Sequence, residues 1–353
     1  MRWSIIALLA FLCAEAAIFR SGWYNRYVEP NSTTGYTEYN LRWLRDTPRT
    51  TLPEVAVVGD SRIAEGFSAP RADSETVNRL HFWNLGIPGT TPRAWYYFLR
   101  DADPGRHRFA AIVFALDQYS DVDLNDDLRD RTSDLNYSIG RLRLTDCWDF
   151  AMSMGKAEDR RTVLTGCIFK GLVFRRDLRE FLANRPDRLK RSRATAEHGL
   201  EWIDAYPGNT SNLHGLTADF EQREIHFPPG LDQGHMDTVR NTAFPYIHPD
   251  TGASTRYRKL WLGRILDLYR NSPTRIVFLQ LPRSPLPLPD RRVPPRFIQS
   301  VASRPRVSIL PEDRFRDLEQ PDLFADGLHL NSDGRGIFSA RLADSIVQIL
   351  ESR

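Results

Sequence analysis

The sequence has few of the features that would indicate a nucleic-acid or metal partner. Lysine occurs only four times among 48 basic residues, and no basic stretch alternates with aromatic side chains as a groove for single strands requires. The net charge is only +3, so no nucleic-acid partner is expected. His226, His235 and His248 are spaced too widely to form a recognisable zinc set. The acidic run 121–127 lacks a calcium loop's sixth-position glycine, where Asp126 stands, so no metal site is predicted.

Cysteine is also scarce, with three in the chain. Two of them, Cys147 and Cys167, lie outside the N-terminal segment, and neither has a histidine at catalytic or zinc spacing. In an exported protein these two could form a disulfide. Two buried thiols in a helical region are the alternative, and the sequence leaves both open.

The N-terminal segment, residues 1–20, is apolar from Trp3 to Phe19 except for Ser4 and Glu15. A spanning helix needs roughly 20 residues, with about 17 as a lower limit. A signal peptide is also possible, because Ala-Glu-Ala at 14–16 resembles a cleavage site. The third possibility is a buried helix of a cytoplasmic domain. Arg2 favours an internal N-terminus and an extracytoplasmic (periplasmic) body attached to the cell membrane, or a secreted body if the segment is cleaved.

The remaining chain is predicted to be one α/β domain at 53–350, preceded by a tether at 21–52. Continuous apolar runs between helical stretches are typical of parallel strands covered on both faces. An insertion at about 120–257, largely helical, interrupts this pattern, and either caps the site or forms a small separate domain. The predicted strands are 55–58, 82–85, 110–116, 275–281 and 307–310.

Ser61 follows the first predicted strand through a tight Gly-Asp turn. In parallel sheets, ligands bind beyond the carboxyl ends of the strands, where Ser61 is expected. A serine at a helix start also has backbone N–H groups nearby that could hold an oxyanion. The alternative is that Asp60 and Ser61 only cap the helix.

Asp326 and His329 favour the catalytic interpretation. A serine hydroxyl, an imidazole and a carboxylate are the three groups needed for nucleophilic acyl transfer. His329 would accept the Ser61 proton, and Asp326 would bind the other ring nitrogen. His329 follows Asp326 by three positions, so one short loop can present both.

These motifs resemble those of the SGNH/GDSL hydrolases. The first block of that superfamily matches Gly-Asp-Ser at 59–61, the second matches Asn-Leu-Gly at 84–86, and the last matches 326–329. The resemblance covers roughly 54–118 and 272 to the end. It implies a flavodoxin-like three-layer α/β/α sandwich, acyl transfer through a serine ester, no cofactor, and oxyanion donors at the Ser61 and Gly86 N–H groups.

The third block departs from the superfamily's pattern. Asp117 stands where an asparagine usually donates to the oxyanion, and an ionised carboxylate there would repel negative charge. Asp117 could instead be protonated, pair with Arg62, or leave the donor role to Gln118. Arg62 and Arg283 would flank the site and could hold an anionic substrate, or form structural ion pairs.

Together with the apolar N-terminal segment, this departure resembles the membrane-anchored SGNH branch that works beside multi-pass acyltransferases. We therefore expect serine-dependent ester hydrolysis or acyl transfer on an O-acylated, acetylated envelope carbohydrate or a small acyl ester. The alternative is a catalytically weak scaffold that binds a multi-pass membrane acyltransferase. A secreted lipase or free esterase is a third interpretation, and requires a cleaved N-terminus.

Overall fold

Residues 2–116, 131–244, 253–287 and 296–352 are described by the computed structural model. The backbone divides into two units. The first unit comprises Met1–Pro48, Thr91–Pro104 and Asp127–Ile203. The second comprises Arg49–Thr90, Gly105–Asp126 and Asp204–Arg353.

The described parts of the chain form strands and α-helices that we number in chain order. The strands are β1 (Glu54–Gly59), β2 (His81–Gly86), β3 (Phe109–Leu116), β4 (Thr217–Asp219), β5 (Glu224–His226), β6 (Arg275–Gln280) and β7 (Val307–Ile309). The helices are α1 (Arg2–Glu15), α2 (Thr33–Asp46), α3 (Ser61–Gly66), α4 (Ala69–Glu75), α5 (Pro92–Ala102), α6 (Asp134–Ser138), α7 (Leu144–Met152), α8 (Ala157–Ile168), α9 (Lys170–Ala183), α10 (Arg185–Asp204), α11 (Gln233–Ala243), α12 (Ala253–Leu268), α13 (Arg296–Val301) and α14 (Ser332–Glu351).

The second unit is built on a five-stranded parallel sheet in the order β2-β1-β3-β6-β7. This is the order of flavodoxin-like doubly wound sheets, whose ligands bind where the strand order reverses, beside the end of β1. All residues of β1 are buried, as expected of a central strand covered on both faces. The predicted α/β fold is confirmed, and the architecture is consistent with a three-layer α/β/α sandwich.

The second half of the predicted insertion belongs to the sheet-containing unit. Leu213 and Val239 are fully buried in its core, and β4 and β5 form a small antiparallel hairpin. The Ser332 N–H donates to the Asn209 carbonyl at 2.7 Å, which joins this segment to the start of α14. Residues 131–203 lie in the other unit, so the predicted insertion is divided between the two.

The prediction of a tether at 21–52 is wrong. This stretch contains a short 3₁₀ helix and α2, and the side chains of Tyr24, Tyr39 and Trp43 are buried in the first unit. The Trp43 indole N–H donates to the Thr195 carbonyl at 3.1 Å, and its ring packs where Gly199 leaves room. The Tyr24 hydroxyl donates to Asp177 at 2.5 Å. Sequence periodicity missed the helix because these long-range contacts, rather than an apolar stripe, stabilise it.

A disulfide joins Cys147 on α7 to Cys167 at the end of α8, with the Cα atoms 5.5 Å apart. The sequence left this pairing open, and the structure decides it. Disulfides persist mainly in oxidising compartments. Cys13 is a free, exposed thiol.

We expect the Cys147→Ser/Cys167→Ser double variant to lose about 3 kcal/mol of unfolding free energy, because the bond closes a short loop in the unfolded chain. Calorimetry of the full chain in detergent should show a lower melting temperature for the double variant. Cys13→Ser is the matched control, since Cys13 is unpaired, and should melt like the parent protein. Equal melting of the double variant and the parent would contradict this role for the disulfide.

One helical stretch, Arg2–Arg20, is long and apolar enough to cross a membrane, with a mean hydropathy of 1.8. Only 11% of its most apolar window is buried against the rest of the protein. Trp3 is 82% exposed, in contrast to Phe19, which packs into the first unit. The helix is therefore a candidate signal anchor or membrane span.

Candidate functional site

The site begins where β1 ends and α3 starts. Asp60 is the N-cap of α3, and its carboxylate accepts the Arg62 backbone N–H at 3.0 Å. Ser61 is the first residue of the helix, so its N–H has no acceptor within the helix. The local fold thus places the Ser61 hydroxyl and N–H together at the carboxyl edge of the sheet.

Two glycines that pair across β1 and β2 allow α3 to pack directly on the ends of these strands. Gly59 of β1 pairs with Gly86 of β2. A Cβ atom on Gly86 would lie 2.3 Å from the backbone nitrogen of Ala64, and one on Gly59 would lie 2.5 Å from the Ile63 side chain. Any larger residue at these positions would push α3, and Ser61 with it, away from the sheet.

Asp326 and His329 lie on a tight turn between a short 3₁₀ helix, Pro321–Leu323, and α14. The Asp326 carboxylate accepts the backbone N–H groups of Leu328 at 2.7 Å and His329 at 2.8 Å. The Ala325 N–H donates to the His329 carbonyl at 2.9 Å and closes the turn. The carboxylate is therefore fixed in orientation before it contacts the imidazole.

The structure brings Ser61, His329 and Asp326 together. The Ser61 Oγ is 2.9 Å from His329 Nε2, and the His329 Nδ1 is 2.9 Å from Asp326 Oδ2. All three side chains are half-buried. With Nδ1 protonated toward Asp326, Nε2 carries the lone pair that can accept the serine proton, which is the arrangement required of a nucleophile, base and orienting group.

The electrostatics of the site favour a charged imidazole. Burial by itself would lower the pKa of His329, but the hydrogen bond and negative charge of Asp326, together with Glu65 and Asp60, outweigh it and raise the pKa. Burial likewise would raise the pKa of Asp326, yet its hydrogen bonds to His329 and Leu328 lower the pKa. An imidazolium that forms during proton transfer is thus stabilised where it forms.

We expect activity and stability to depend on pH in opposite directions around the His329 transition. Because only the neutral ring can accept the serine proton, kcat/KM should fall as pH drops through the raised pKa, giving an acid limb above 6.5. Because the folded-state pKa is raised, the stabilisation from imidazolium is complete below the unfolded value and is lost as pH rises through the folded value.

The measurement is a pH profile of kcat/KM with a small ester, alongside melting temperature over the same range. Glu65→Gln removes a charge that raises the His329 pKa and should move the acid limb to lower pH. Glu75→Gln, on the next helix, is the control and should leave the limb unchanged. An acid limb at or below 6.5 in the parent protein would contradict the assignment.

Arg62, for which the sequence left substrate binding and structural ion pairing open, forms an ion pair with Asp60. Its guanidinium donates to both carboxylate oxygens, at 3.2 Å from Nε and 2.9 Å from Nη2. Burial would raise the pKa of Asp60, but the adjacent guanidinium outweighs it and lowers the pKa. Arg283, for which the same two roles were open, is buried, and its backbone N–H donates to Glu319 at 3.0 Å.

Gly86 does not meet the geometry predicted for an oxyanion donor. Its N–H donates to the Asn84 side-chain oxygen at 3.0 Å. The Asn84 amide in turn donates to carbonyls of α3 and of Phe67, so this asparagine holds the helix on β2. Gly86 is therefore required for close packing of α3 on β2. The family resemblance alone could not tell this packing role from oxyanion binding.

The turn after β2 offers another backbone donor. Ile87 donates to the Gly59 carbonyl at 3.0 Å, Thr90 donates to the Ile87 carbonyl at 3.1 Å, and Pro88 has no N–H. Among the described residues of this turn, the remaining backbone donor is the Gly89 N–H, which has no hydrogen-bond acceptor in the described contacts. Gly89 has a φ of +74°, which favours glycine. The sequence signal that could have found it is the Pro-Gly pair after the strand.

Two other supporting residues were missed by sequence reasoning. Glu65 lies one helical turn after Ser61 on α3, and its charge acts on His329. A Cβ atom on Gly327 would lie 2.6 Å from the backbone of Thr238 and Val239, so α11 packs directly against the turn that carries Asp326. The spacing of Glu65 from Ser61 and the Asp-Gly pair at 326–327 do not identify these contacts from sequence, because the contacts depend on how distant segments fold together.

Asp117 and Gln118, and the acidic run 121–127, lie outside the described residues, as does His248. Within the parts of the chain that the structure describes, no group of three or more His, Cys, Asp or Glu side chains could hold a metal ion. A scan against protein-family models finds no match, and a search of curated proteins finds none either.

Proposed function

We propose that this chain is a serine-dependent acyl-transfer enzyme of the SGNH type. The observation that carries the proposal is the continuous hydrogen-bonded series from Ser61 through His329 to Asp326, with both links at 2.9 Å. Its position at the reversal of strand order, beyond the end of β1, supports the same conclusion.

In the proposed reaction, the Ser61 oxygen attacks the ester carbonyl carbon while His329 Nε2 takes the hydroxyl proton. The tetrahedral intermediate collapses, the C–O bond to the leaving alcohol breaks, and His329 returns its proton to that alcohol. Water or an acceptor hydroxyl then attacks the acyl-serine, with His329 again taking a proton and returning it to Ser61. Asp326 stays ionised throughout and stabilises the imidazolium.

The Ser61 N–H, and the Gly89 N–H in place of that of Gly86, are the backbone donors proposed for the oxyanion. Ser61 supplies a helix-start N–H, and the Gly89 turn is held on the Gly59 carbonyl two residues before the nucleophile. Loss of one such donor costs on the order of 10²–10³ in rate.

We propose an O-acylated, acetylated envelope carbohydrate as substrate, and the cell membrane, with the body outside the cytoplasm, as location. The disulfide and the candidate spanning helix Arg2–Arg20 support the location. The substrate class rests on the resemblance to the membrane-anchored SGNH branch, which also suggests a multi-pass acyltransferase as partner.

The test is turnover of a small acetyl ester by the full chain in detergent, with intact-protein mass spectrometry of quenched samples. One added acetyl group on the parent protein and none on Ser61→Ala is the expected result. Adding an oligosaccharide acceptor then distinguishes transfer from hydrolysis of the acyl-enzyme. Transfer yields an acetylated acceptor, and hydrolysis yields acetate. Equal acetylation of the Ser61→Ala variant would reject the proposal.

A second candidate is a scaffold that binds a membrane acyltransferase without its own turnover. The occupied Gly86 N–H favours it, because a donor expected from the family pattern is engaged elsewhere. In that case ester turnover would equal the Ser61→Ala background, while co-purification with the acyltransferase would be the same for both proteins.

A further inference from the structure

The start of α9 lies alongside the end of the candidate spanning helix, in the first unit. The rings of Phe11 and Phe169 are 6.3 Å apart, and those of Phe19 and Phe174 are stacked at 5.6 Å. The earlier residue of the N-terminal helix contacts the earlier residue at α9, and the later contacts the later. The two helices therefore run side by side in the same direction. The corner between α8 and α9 therefore lies between the levels of Phe11 and Glu15, before the end of the apolar stretch.

That level is well inside the apolar stretch. Phe11 precedes Arg20 by nine residues, which is roughly 13 Å along a helix axis, and Glu15 precedes it by five. If the helix spans the bilayer, as proposed above, the corner at Phe169 lies at the depth of the acyl chains. The Arg20 guanidinium reaches back to the Cys167 carbonyl at 2.6 Å, which satisfies the end of α8 without water.

The side chains at the corner are distributed as they are in membrane proteins. Ile168 and Leu172 point outward and are 36% and 50% exposed. Two ionisable groups at the corner point inward: Glu15 is 7% exposed and accepts the Gly171 N–H at 3.1 Å, and Lys170 is 3% exposed. The exposed charges of α9 begin one turn later, at Arg175 and Arg176. In a bilayer, charged groups face the protein interior and apolar groups face lipid.

Helix α7 extends this apolar surface. The disulfide holds Cys147 beside Cys167, and the next residue, Trp148, is 66% exposed. Leu144 and Met152, one turn before and after it, are 59% and 44% exposed, so one face of α7 is apolar. Tryptophan is enriched where membrane proteins cross the lipid–water interface.

We propose that the α8–α9 corner, formed by Ile168, Phe169 and Leu172, is inserted in the acyl-chain region of the same membrane that α1 crosses. The first unit is thus partly embedded in lipid rather than held above the surface on a single helix. The inference rests on the membrane-spanning assignment of α1 and is independent of the catalytic proposal. Its partner is a lipid bilayer.

The experiment compares two exposed leucines on one helix. Leu172→Cys and Leu182→Cys are made in the full chain with Cys13→Ser, labelled with bimane while the native disulfide is oxidised, and reconstituted in liposomes. The two positions on α9 are ten residues, or about 15 Å, apart along the axis. Quenching is measured with lipids brominated in their acyl chains and with aqueous iodide. Leu9→Cys on α1 is the reference for lipid, and Ile168→Cys reports on the same corner should Leu172→Cys misfold.

We expect several-fold stronger quenching by brominated lipid at position 172 than at 182, and the reverse order with iodide. Lipid quenching at position 9 but not at 172 would overturn the inserted corner and leave α1 as the only embedded element. Absence of lipid quenching at positions 9 and 172 would reject the inserted corner and the spanning helix together. Ester turnover of the labelled proteins, measured in parallel, reports on the catalytic proposal separately.

Discussion

Replacing Ser61 with alanine is expected to lower kcat for ester turnover by about 10⁴- to 10⁶-fold. The variant keeps the oxyanion donors and the His329–Asp326 pair, but it lacks the oxygen that forms the acyl intermediate. Stability should be unchanged, because the cap of α3 is Asp60 rather than Ser61, and the Ser61 hydroxyl contacts His329. The measurement is steady-state turnover of an acetyl ester with labelling by a fluorophosphonate probe.

Ser74→Ala is the matched control. Ser74 lies in the last turn of α4 in the same unit, and its hydroxyl donates to the Arg71 carbonyl at an exposed position. This variant should keep parent turnover and probe labelling. Residual labelling of Ser61→Ala at the parent level would show that another nucleophile reacts, and would remove the basis for the proposed mechanism.

The central sheet could be predicted from sequence because its strands are uniform in character. The five predicted runs all form strands, since continuous apolar segments such as β1 and β3 can be buried only between two layers of helices. Once the sheet is parallel, the position of Ser61 at its carboxyl edge follows. The meeting of Ser61 with His329, 268 residues away, depended on the motif resemblance as well.

The remaining features depend on contacts between distant segments, which local patterns do not record. The α2 segment was predicted to be a tether because its stability comes from Trp43 and Tyr24 packing against helices more than a hundred residues away. Gly86 and Gly89 are three residues apart in one turn. Only the hydrogen bond of Gly86 to Asn84 separates a packing glycine from a candidate oxyanion donor.

Replacing Asp326 with asparagine is expected to reduce kcat/KM by about 10⁴-fold at neutral pH. The asparagine oxygen can still accept the Leu328 and His329 backbone N–H groups, so the turn should keep its shape. The side-chain NH₂ would then face His329 Nδ1 and donate to it, which places the ring proton on Nε2. In that tautomer Nε2 cannot accept the Ser61 proton.

Asp322→Asn supplies the matched control for this prediction. Asp322 pairs with His214 Nδ1 at 2.7 Å, but that pair is exposed and has no serine partner among its described contacts. Its variant should keep full activity. The Asp326→Asn protein should also lose the raised pKa of His329, because the negative charge that outweighs burial is gone. NMR titration of the His329 ring should therefore show a lower pKa than in the parent protein. An unchanged pKa with unchanged turnover would mean that Asp326 only shapes the turn, and that the imidazole acts without an orienting carboxylate.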